Sequence, residues 1–232
     1  MLTIIIPVFN EINTIEEIID QINEIDFVSK EIILVDDCST DGTKNLIENR
    51  LHKKVDRVIF HKENLGKGYA IRSAQNFIRG DFVIIQDADL EYSPKDYKNL
   101  LQPIIDKKSK VVYGSRVLNK VRYEVSNFTS IYRIFGNHML TTLSNFINSQ
   151  NLTDAHTCYK VFSSDIFKKI KLEEKGFSFC PEVTTKLSNM NVSIVEVPIS
   201  YNGRDYKNGK KIKFKDAIYA IITLIKYKFF KK

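Results

Sequence analysis

The sequence predicts an α/β domain built on a mostly parallel, doubly wound sheet with helices on both faces. Three observations carry that expectation. Short β-branched runs alternate with helical patterns through the first half of the chain. Those runs are nearly continuously apolar, as strands covered on both faces must be. At 232 residues the chain has room for one such domain with a sizeable core.

Leu2–Val8 reads as the first strand. Ile15, Ile18, Ile19, Ile22 and Ile25 follow at the spacing of one helical face. Asn13 stands where it can cap that helix, with Glu16 in capping-box position. Glu31–Val35, Arg57–His61, Asp81–Gln86 and Lys110–Tyr113 read as the next strands, and Thr43–Leu51 and Gly68–Ile78 as the intervening helices. The pattern changes after Gly114. Ser126–Ile147 reads as a helix with Phe128, Ile131, Ile134, Phe135, Met139 and Leu143 as its apolar positions. Tyr159–Phe162 and Ser193–Ile199 read as strands, and Glu182–Asn189 as a helix entered through Pro181. No linker or repeat interrupts the chain. Residues 1–212 therefore read as one domain, and 213–232 as a basic amphipathic C-terminal helix with Phe214, Ala217, Ile218, Ile221, Ile222 and Ile225 among lysines.

The formal net charge is +7, which implies an anionic partner. The excess gathers late, in Lys207, Lys210, Lys211, Lys213, Lys215, Lys226, Lys228, Lys231 and Lys232. No RNA- or DNA-binding motif accompanies those lysines, so nucleic acid is not the expected partner. Lipid offers the other reading: an interfacial helix whose lysines meet an anionic membrane surface, or one that docks on a membrane-anchoring partner. A helix packed on the core with a solvated basic end satisfies the same pattern. Cys38, Cys158 and Cys180 are scattered, odd in number and without a CxxC pair, as expected of a reducing compartment. The first strand lacks a basic leader, and Ala217–Ile225 falls far short of the ~20 residues a spanning helix needs. The expected place is the cytoplasm, or the cytoplasmic face of a membrane.

Polar clusters recur where the predicted strands end, which is where open α/β sheets bind ligands. The first strand runs into Phe9-Asn10-Glu11, the second into Asp36-Asp37-Cys38-Ser39-Thr40-Asp41-Gly42, and the fourth into Asp87-Ala88-Asp89-Leu90-Glu91. Carboxylates crowded on one sheet edge repel unless cations or donors separate them. Asp87, Asp89 and Glu91 offer hard oxygens suited to Mg²⁺ or Mn²⁺ held against substrate phosphates. Asp37 is placed to accept hydrogen bonds from a nucleotide base or ribose, and Asp41 to cap the next helix. Asn64-Leu65-Gly66-Lys67-Gly68 is either a ligand loop around Lys67 and Gly68 or a plain tight turn. His61, His138 and His156 lack ligand spacing and read as satisfied structural histidines, and Cys158 as a buried strand residue; Glu182 either reaches the site or begins a helix, with the structural role favoured.

The blocks IIIPVFNE, VDDCSTDGT, NLGKGYAIR, IIQDADLEYSP and VVYGSR, in this order, resemble a family 2 glycosyltransferase of the GT-A fold. LTDAHTCYKVF, FCPEVTTKL and VEVPISYNGRDYKNGKKI resemble the dolichyl- and polyprenyl-phosphate sugar synthase branch, related to dolichol-phosphate mannose synthase. The likeness runs to about Lys213. It implies an inverting transfer of a hexose from a GDP- or UDP-sugar. It also implies that Pro7, Phe9, Glu11 and Asp37 line the nucleotide pocket, and that Asp87 and Asp89 meet the diphosphate and metal. Glu91 stands where these enzymes often carry Gln, Cys38 where Gly is commoner, and Lys210 where a Ser usually precedes the Lys matched by Lys211.

Two acceptors then divide the mechanism. A sugar or glycan hydroxyl, as in surface-polysaccharide assembly, needs a general base, and Asp154 is the candidate. A prenyl phosphate is already anionic and needs cations instead, for which Arg116, Arg204 and Lys211 are placed. A non-catalytic nucleotide-sugar-binding subunit is the remaining class, and the intact DADLE and GSR motifs argue against it.

Overall fold

A computed structural model describes residues 1–119, 131–204 and 214–231. Among the described residues seven strands form one sheet: β1 (Leu2–Val8), β2 (Lys30–Asp36), β3 (Arg57–Phe60), β4 (Phe82–Ile85), β5 (Val111–Ser115), β6 (Lys160–Ser163) and β7 (Ile194–Pro198). Their order is β3-β2-β1-β4-β6-β5-β7, and only β6 runs antiparallel to its neighbours. The α/β, mostly parallel expectation is met, and each predicted strand in the described residues lies within a residue or two of an observed one.

Helices cover both faces. Against one pack α1 (Ile15–Asn23), α2 (Thr43–Asn49) and α4 (Tyr97–Ile105), where Leu2, Ile4, Ile6 and Val8 of β1 meet Ile15, Ile18, Ile19 and Ile22. Against the other pack α3 (Lys67–Ala74), α6 (Ser164–Lys169) and α7 (Phe179–Asn189), where Ile5 meets Ala70, Ile71 and Phe162. The alternation of β1 between two cores is why its sequence reads as an unbroken apolar run.

Two helix starts differ from expectation. Asn13 does not cap α1. Thr14 occupies the cap, its hydroxyl bonds the Glu11 carboxylate at 3.0 Å, and the N–H groups of Thr14 and Ile15 are taken by the Glu11 carbonyl. Glu16 turns instead to Arg50 and Lys54. Helix α7 begins at Phe179, not Glu182, because Pro181 falls in its first turn, where a missing N–H leaves nothing unsatisfied.

The predicted helix over 126–147 is α5 (Ile131–Asn148) in its described part, and Phe128 lies outside the described residues. Its buried face matches expectation at Ile134 and departs from it elsewhere. Thr141, Ser144 and Asn148 are buried, and Asn148 donates to Thr185 of α7, while Phe135, Met139 and Phe146 face outward. The C-terminal helix α8 (Phe214–Ile225) packs on α5 and α7 through Ala220, Thr223 and Leu224. Its other side exposes Ile218, Tyr219, Ile221, Ile222 and Ile225. The wider turn Lys226–Phe230 that follows is fastened inward: Lys226 and Tyr227 reach Glu174 at 2.6 and 2.8 Å, and Lys231 reaches Glu173 at 2.5 Å. No helix among the described residues is long and apolar enough to cross a membrane.

Candidate active site

The chain turns back across the sheet between β1 and β4, and the carboxyl ends of these neighbouring strands open a cleft at the switch point. It has a volume of about 900 Å³ including its open mouth. Pro7, Phe9, Glu11, Asp37, Lys67, Asp87, Ala88, Asp89, Glu91, Arg116 and Arg204 all line it. Of the predicted site residues, Gly68 and Asp154 stand behind its wall, and Lys211 lies outside the described residues, as do Lys207, Lys210 and Lys213.

The loops after β1 and β2 are locked together. Asn10 accepts from the Thr40 N–H at 2.7 Å, and the Glu11 N–H donates to Thr43 Oγ1 at 3.0 Å. Asp41 accepts from the Thr43 N–H at the start of α2 and from the Ile12 N–H, the expected capping role with a second anchor. Asn10 and Cys38 take left-handed backbone conformations, with φ of 53° and 64°. Cys38 therefore holds the conformation glycine favours, at a steric cost that glycine avoids.

Asp37 is almost fully buried. Its Oδ1 accepts from His61 Nδ1 at 2.7 Å and the Leu65 N–H at 3.0 Å, and its Oδ2 from the Gly66 N–H at 2.6 Å. A carboxylate has about four acceptor positions, so roughly one remains for a ligand. The loop it pins is a wall, and its glycines serve protein backbone. Gly66 has φ of 90°, and a Cβ there would fall 2.6 Å from the Lys175 carbonyl. A Cβ on Gly68 would collide with the Glu174 carbonyl. Glu182, fully buried in the first turn of α7, holds that same segment by accepting from the Glu173 and Glu174 N–H groups at 2.7 and 3.0 Å.

The acidic turn after β4 is set from beneath by Gln86. Its Oε1 accepts from Tyr97 and Tyr159 at 2.7 and 2.6 Å, and its Nε2 donates to the Asp87 carbonyl at 2.9 Å. Leu90 is left-handed at φ 60°, and Asp89 Oδ1 accepts from the Glu91 N–H at 3.1 Å. The charges that must separate these carboxylates are supplied by the chain. Lys67 pairs with Asp87 and also reaches Cys158 Sγ at 3.0 Å. Arg204 forks onto Glu11 with two bonds of 3.1 Å and reaches Asp89 Oδ2 at 2.9 Å. Burial, with Asp87 and Glu91 alongside, still raises the Asp89 carboxyl to about 7.

Glu91 also lines the cleft. Its side chain turns to the Tyr201 hydroxyl at 2.9 Å and the Arg204 N–H at 2.8 Å. Among the described residues no group of three or more His, Cys, Asp or Glu side chains converges as a metal cage would. The excess negative charge on Asp87 and Asp89 fits a hard cation completed by phosphate oxygens, the manner of Mg²⁺.

Asp154 is fully buried and faces Arg116. Its Oδ2 accepts from Arg116 Nε at 2.6 Å and the Arg116 N–H at 3.2 Å, and its Oδ1 from Arg116 Nη2 at 2.8 Å and Asn137 Nδ2 at 3.1 Å. The Arg116 guanidinium outweighs the upward push of burial and holds this carboxyl at about 2. A group so acidic and so fully occupied is not the general base expected for a hydroxyl acceptor. It instead fixes a cation at the cleft.

Sequence reasoning missed Tyr92, His156, Cys158 and Phe177, which also line the cleft. Cys158 sits in the loop before β6 rather than in the strand, and burial pushes its thiol up, away from reactivity. His61 is bonded at both ring nitrogens, as expected, whereas His156 Nε2 and His138 Nδ1 are buried without a partner. The signal for His156 was its place in the polar run Thr153-Asp154-Ala155-His156-Thr157, too polar for a core loop with no purpose.

Residues 3–171 match the family model described as Glycosyl transferase family 2. The chain is 25% identical to a low-salt glycan biosynthesis hexosyltransferase of Haloferax volcanii, over 88% of this chain and 48% of that one, so it spans about half of that relative's length. It is 26% identical to a dolichyl-phosphate beta-glucosyltransferase of Trichomonas vaginalis, over 99% of this chain and 73% of that one. It is 28% identical to a polyprenol monophosphomannose synthase of Mycolicibacterium smegmatis, over 87% and 77%. Among solved structures, glucosyl-3-phosphoglycerate synthase from Mycobacterium tuberculosis in complex with Mn²⁺ and UDP-glucose superposes with a TM-score of 0.71 at 18% identity, covering 98% of this chain and 79% of that one. At that identity the likeness is one of fold, and the fold is GT-A.

Proposed function

The chain belongs to glycosyl transferase family 2, and on that premise we propose that it moves a hexose, with inversion, from a UDP- or GDP-sugar to a polyprenyl- or dolichyl-phosphate. The observation that carries this reading is one cleft lined by the acidic pair Asp87 and Asp89 and by three cations, Lys67, Arg116 and Arg204. Pro7, Phe9, Glu11 and Asp37 bound the nucleotide end. Relatives named for dolichyl- and polyprenyl-phosphate chemistry support the acceptor.

In this transfer the bond between the anomeric carbon and the leaving diphosphate breaks, and a bond from that carbon to an acceptor phosphate oxygen forms on the opposite face. The nucleoside diphosphate leaves with the electron pair. No proton has to be removed from an ionised phosphate, which suits a site where Asp154, the base expected from the sequence, is tied to Arg116. Arg116, held rigid by that bidentate pair, presents fixed positive charge to a phosphate. Lys67 and Arg204 keep the acidic edge folded and offset anionic charge beside it. A divalent metal, held by Asp87 and Asp89, would supply Lewis-acid stabilisation of the leaving diphosphate.

The acceptor is a lipid, and the outward faces of α5 and α8 suit a lipid surface. Phe135, Met139, Phe146, Ile218, Ile222, Phe229 and Phe230 are exposed large apolar side chains on adjoining elements. We assign this face to the bilayer that carries the acceptor.

Incubation with UDP- and GDP-sugars, Mn²⁺ or Mg²⁺ and a prenyl phosphate, read by mass spectrometry, tests the reading. A prenyl-phosphate-linked hexose is expected, and Asp89→Ala should abolish it. Undiminished turnover in excess chelator would remove the metal from the mechanism, and glycosylation of free glycans alone would remove the acceptor.

A further inference from the structure

One stripe of α5 is polar and turned toward the body of the protein. Asn137, Thr141 and Asn145 stand four residues apart, the spacing of one helical face. All three hold the loop that leads into β6. Asn145 Nδ2 donates to the Leu152 carbonyl at 2.8 Å, and its Oδ1 accepts from the Leu152 N–H at 2.9 Å. Thr141 Oγ1 accepts from the Ala155 N–H at 3.3 Å. Asn137 Nδ2 donates to Asp154 Oδ1 at 3.1 Å. Of the three, Asn137 alone reaches a side chain of that loop.

That side chain is the counter-ion of Arg116. A carboxylate has about four acceptor positions. At Asp154 the Arg116 N–H, Nε and Nη2 take three bonds, and Asn137 supplies the fourth. Glu196 fixes the loop backbone by accepting from the Thr153 and Asp154 N–H groups at 2.6 and 2.9 Å. Backbone bonds do not set a side-chain torsion, and the terminal torsion of Asp is broad. A carboxylate bonded to its arginine alone turns about that torsion and carries the guanidinium with it. Asn137 grips the carboxylate from a different element and closes that freedom. The guanidinium so held lines the cleft and lies 5.1 Å from the centre of the Tyr201 ring.

The same helix has an opposite side. Phe135 and Met139 stand two residues before and after Asn137, about 200° around the axis at ~3.6 residues per turn, and both are exposed. The helix that the proposed function lays against the bilayer therefore carries on its inner side the amide that orients the cation. Apolar surface and cation are set by one rigid element. We propose that Asn137 is a positioning residue for Arg116, and that through it α5 aims the guanidinium at the phosphate of the lipid acceptor; this rests on the prenyl-phosphate reading above.

Three measurements on wild type, Asn137→Leu, Asn137→Gln and Asn145→Leu test it. They are kinetics with a prenyl phosphate in vesicles, calorimetric binding of UDP and GDP with Mn²⁺, and the NMR signal of the Arg116 Nε–H, assigned by its loss in Arg116→Lys. Asn137→Leu should lower kcat/KM for the prenyl phosphate about tenfold or more, leave nucleoside diphosphate binding within about twofold, and shift and broaden the Arg116 signal. Asn137→Gln, which keeps an amide donor, should recover part of each change. Asn145→Leu controls for a merely structural role, because it cuts two bonds from the same stripe to the same loop. It should lower Tm at least as far as Asn137→Leu, with kcat/KM and the Arg116 signal little changed. Undiminished turnover in Asn137→Leu would overturn the inference. So would an equal loss of turnover in Asn145→Leu, or an Asn137→Leu loss that falls on the nucleoside diphosphates instead. A wild type that yields no prenyl-phosphate-linked hexose, while Asn137→Leu still shifts the Arg116 signal, would bring down the acceptor reading and leave the positioning of Arg116 standing.

Discussion

Replacing Asp154 by Asn keeps the shape of the side chain and removes its charge, leaving the Arg116 guanidinium buried without its counter-ion. Of the two charge-assisted bonds, of 2.6 and 2.8 Å, the new amide keeps a neutral acceptor for one and turns N–H toward N–H at the other. Losing that bond, at ~1.5–3 kcal/mol, and the counter-ion of a buried guanidinium comes to the ~3–5 kcal/mol of breaking a buried pair from one side. Protonation alone gives a lower bound. The Asp154 carboxyl falls from 3.8 to about 2 in the folded state, worth roughly 2.5 kcal/mol. That stability is fully present above pH ~4 and drains away as pH falls through 2. The loop itself stays anchored through Glu196, so the loss is local to the pair. Urea unfolding is the assay: Asp154→Asn should lower the midpoint by about 1 M or more. The double variant Asp154→Leu/Arg116→Met should recover a large part of the loss, since removing both charges leaves neither stranded. A shift in Asp154→Asn below about 1 kcal/mol, or a double variant as damaged as the sum of the singles, would refute the clamp. An ascending limb in the pH profile of kcat/KM that vanishes in Asp154→Asn would refute it from the other side, by showing that Asp154 titrates as a base.

Three further outcomes are expected. Cys38→Gly relieves a left-handed backbone at φ 64° and should stabilise the fold by about 1 kcal/mol, raising Tm by about 2–4 °C; a lower Tm would show that the Cys38 side chain contributes more than its backbone costs. His156 binds its proton more weakly folded, at about 4 against 6.5, so its contribution to stability is complete above pH 6.5 and lost as pH falls toward 4; relative to His156→Gln, wild type should lose roughly 2 kcal/mol more between pH 8 and 5, and parallel pH curves would contradict the buried neutral ring. Phe229→Ser with Phe230→Ser removes two exposed rings and should cut partitioning onto anionic liposomes at least about tenfold with Tm unchanged; undiminished binding would move the lipid surface elsewhere.

The strands, their alternation with helices and the acidic strand ends were legible because each is a local pattern: a two-faced apolar run, a helical period, a polar strand terminus. The partners were not. Arg204 meets Glu11 from 193 residues away and Arg116 meets Asp154 across 38, and nothing in either stretch encodes the other. The antiparallel insertion of β6 between β4 and β5 arises from long connections with no turn signature. Gly66 and Gly68 were read as part of a ligand loop or a plain tight turn, and neither reading names what they admit, which is the backbone at 174–176. In α5, apolar residues were read as core by default; Ile134 is core, but Thr141, Ser144 and Asn148 are buried as well, and α7 offers Thr185 to the Asn148 amide and Ser188 to the Asn148 carbonyl.

The fastening of the tail to Glu173 and Glu174 bears on how this protein can be handled. The segment that holds Lys226, Tyr227 and Lys231 is the segment on which the Lys67 loop rests, with the Tyr69 N–H on the Lys175 carbonyl at 3.0 Å. Cutting the chain after Ile212, or appending a tag against Phe230, would unload that segment as well as strip apolar surface. A truncated protein that no longer meets vesicles would therefore carry a loosened nucleotide wall too, and its lost turnover would have two sources. Single exposed rings can be exchanged without that ambiguity, which makes Phe229 and Phe230 cleaner handles on the proposed lipid surface than any deletion.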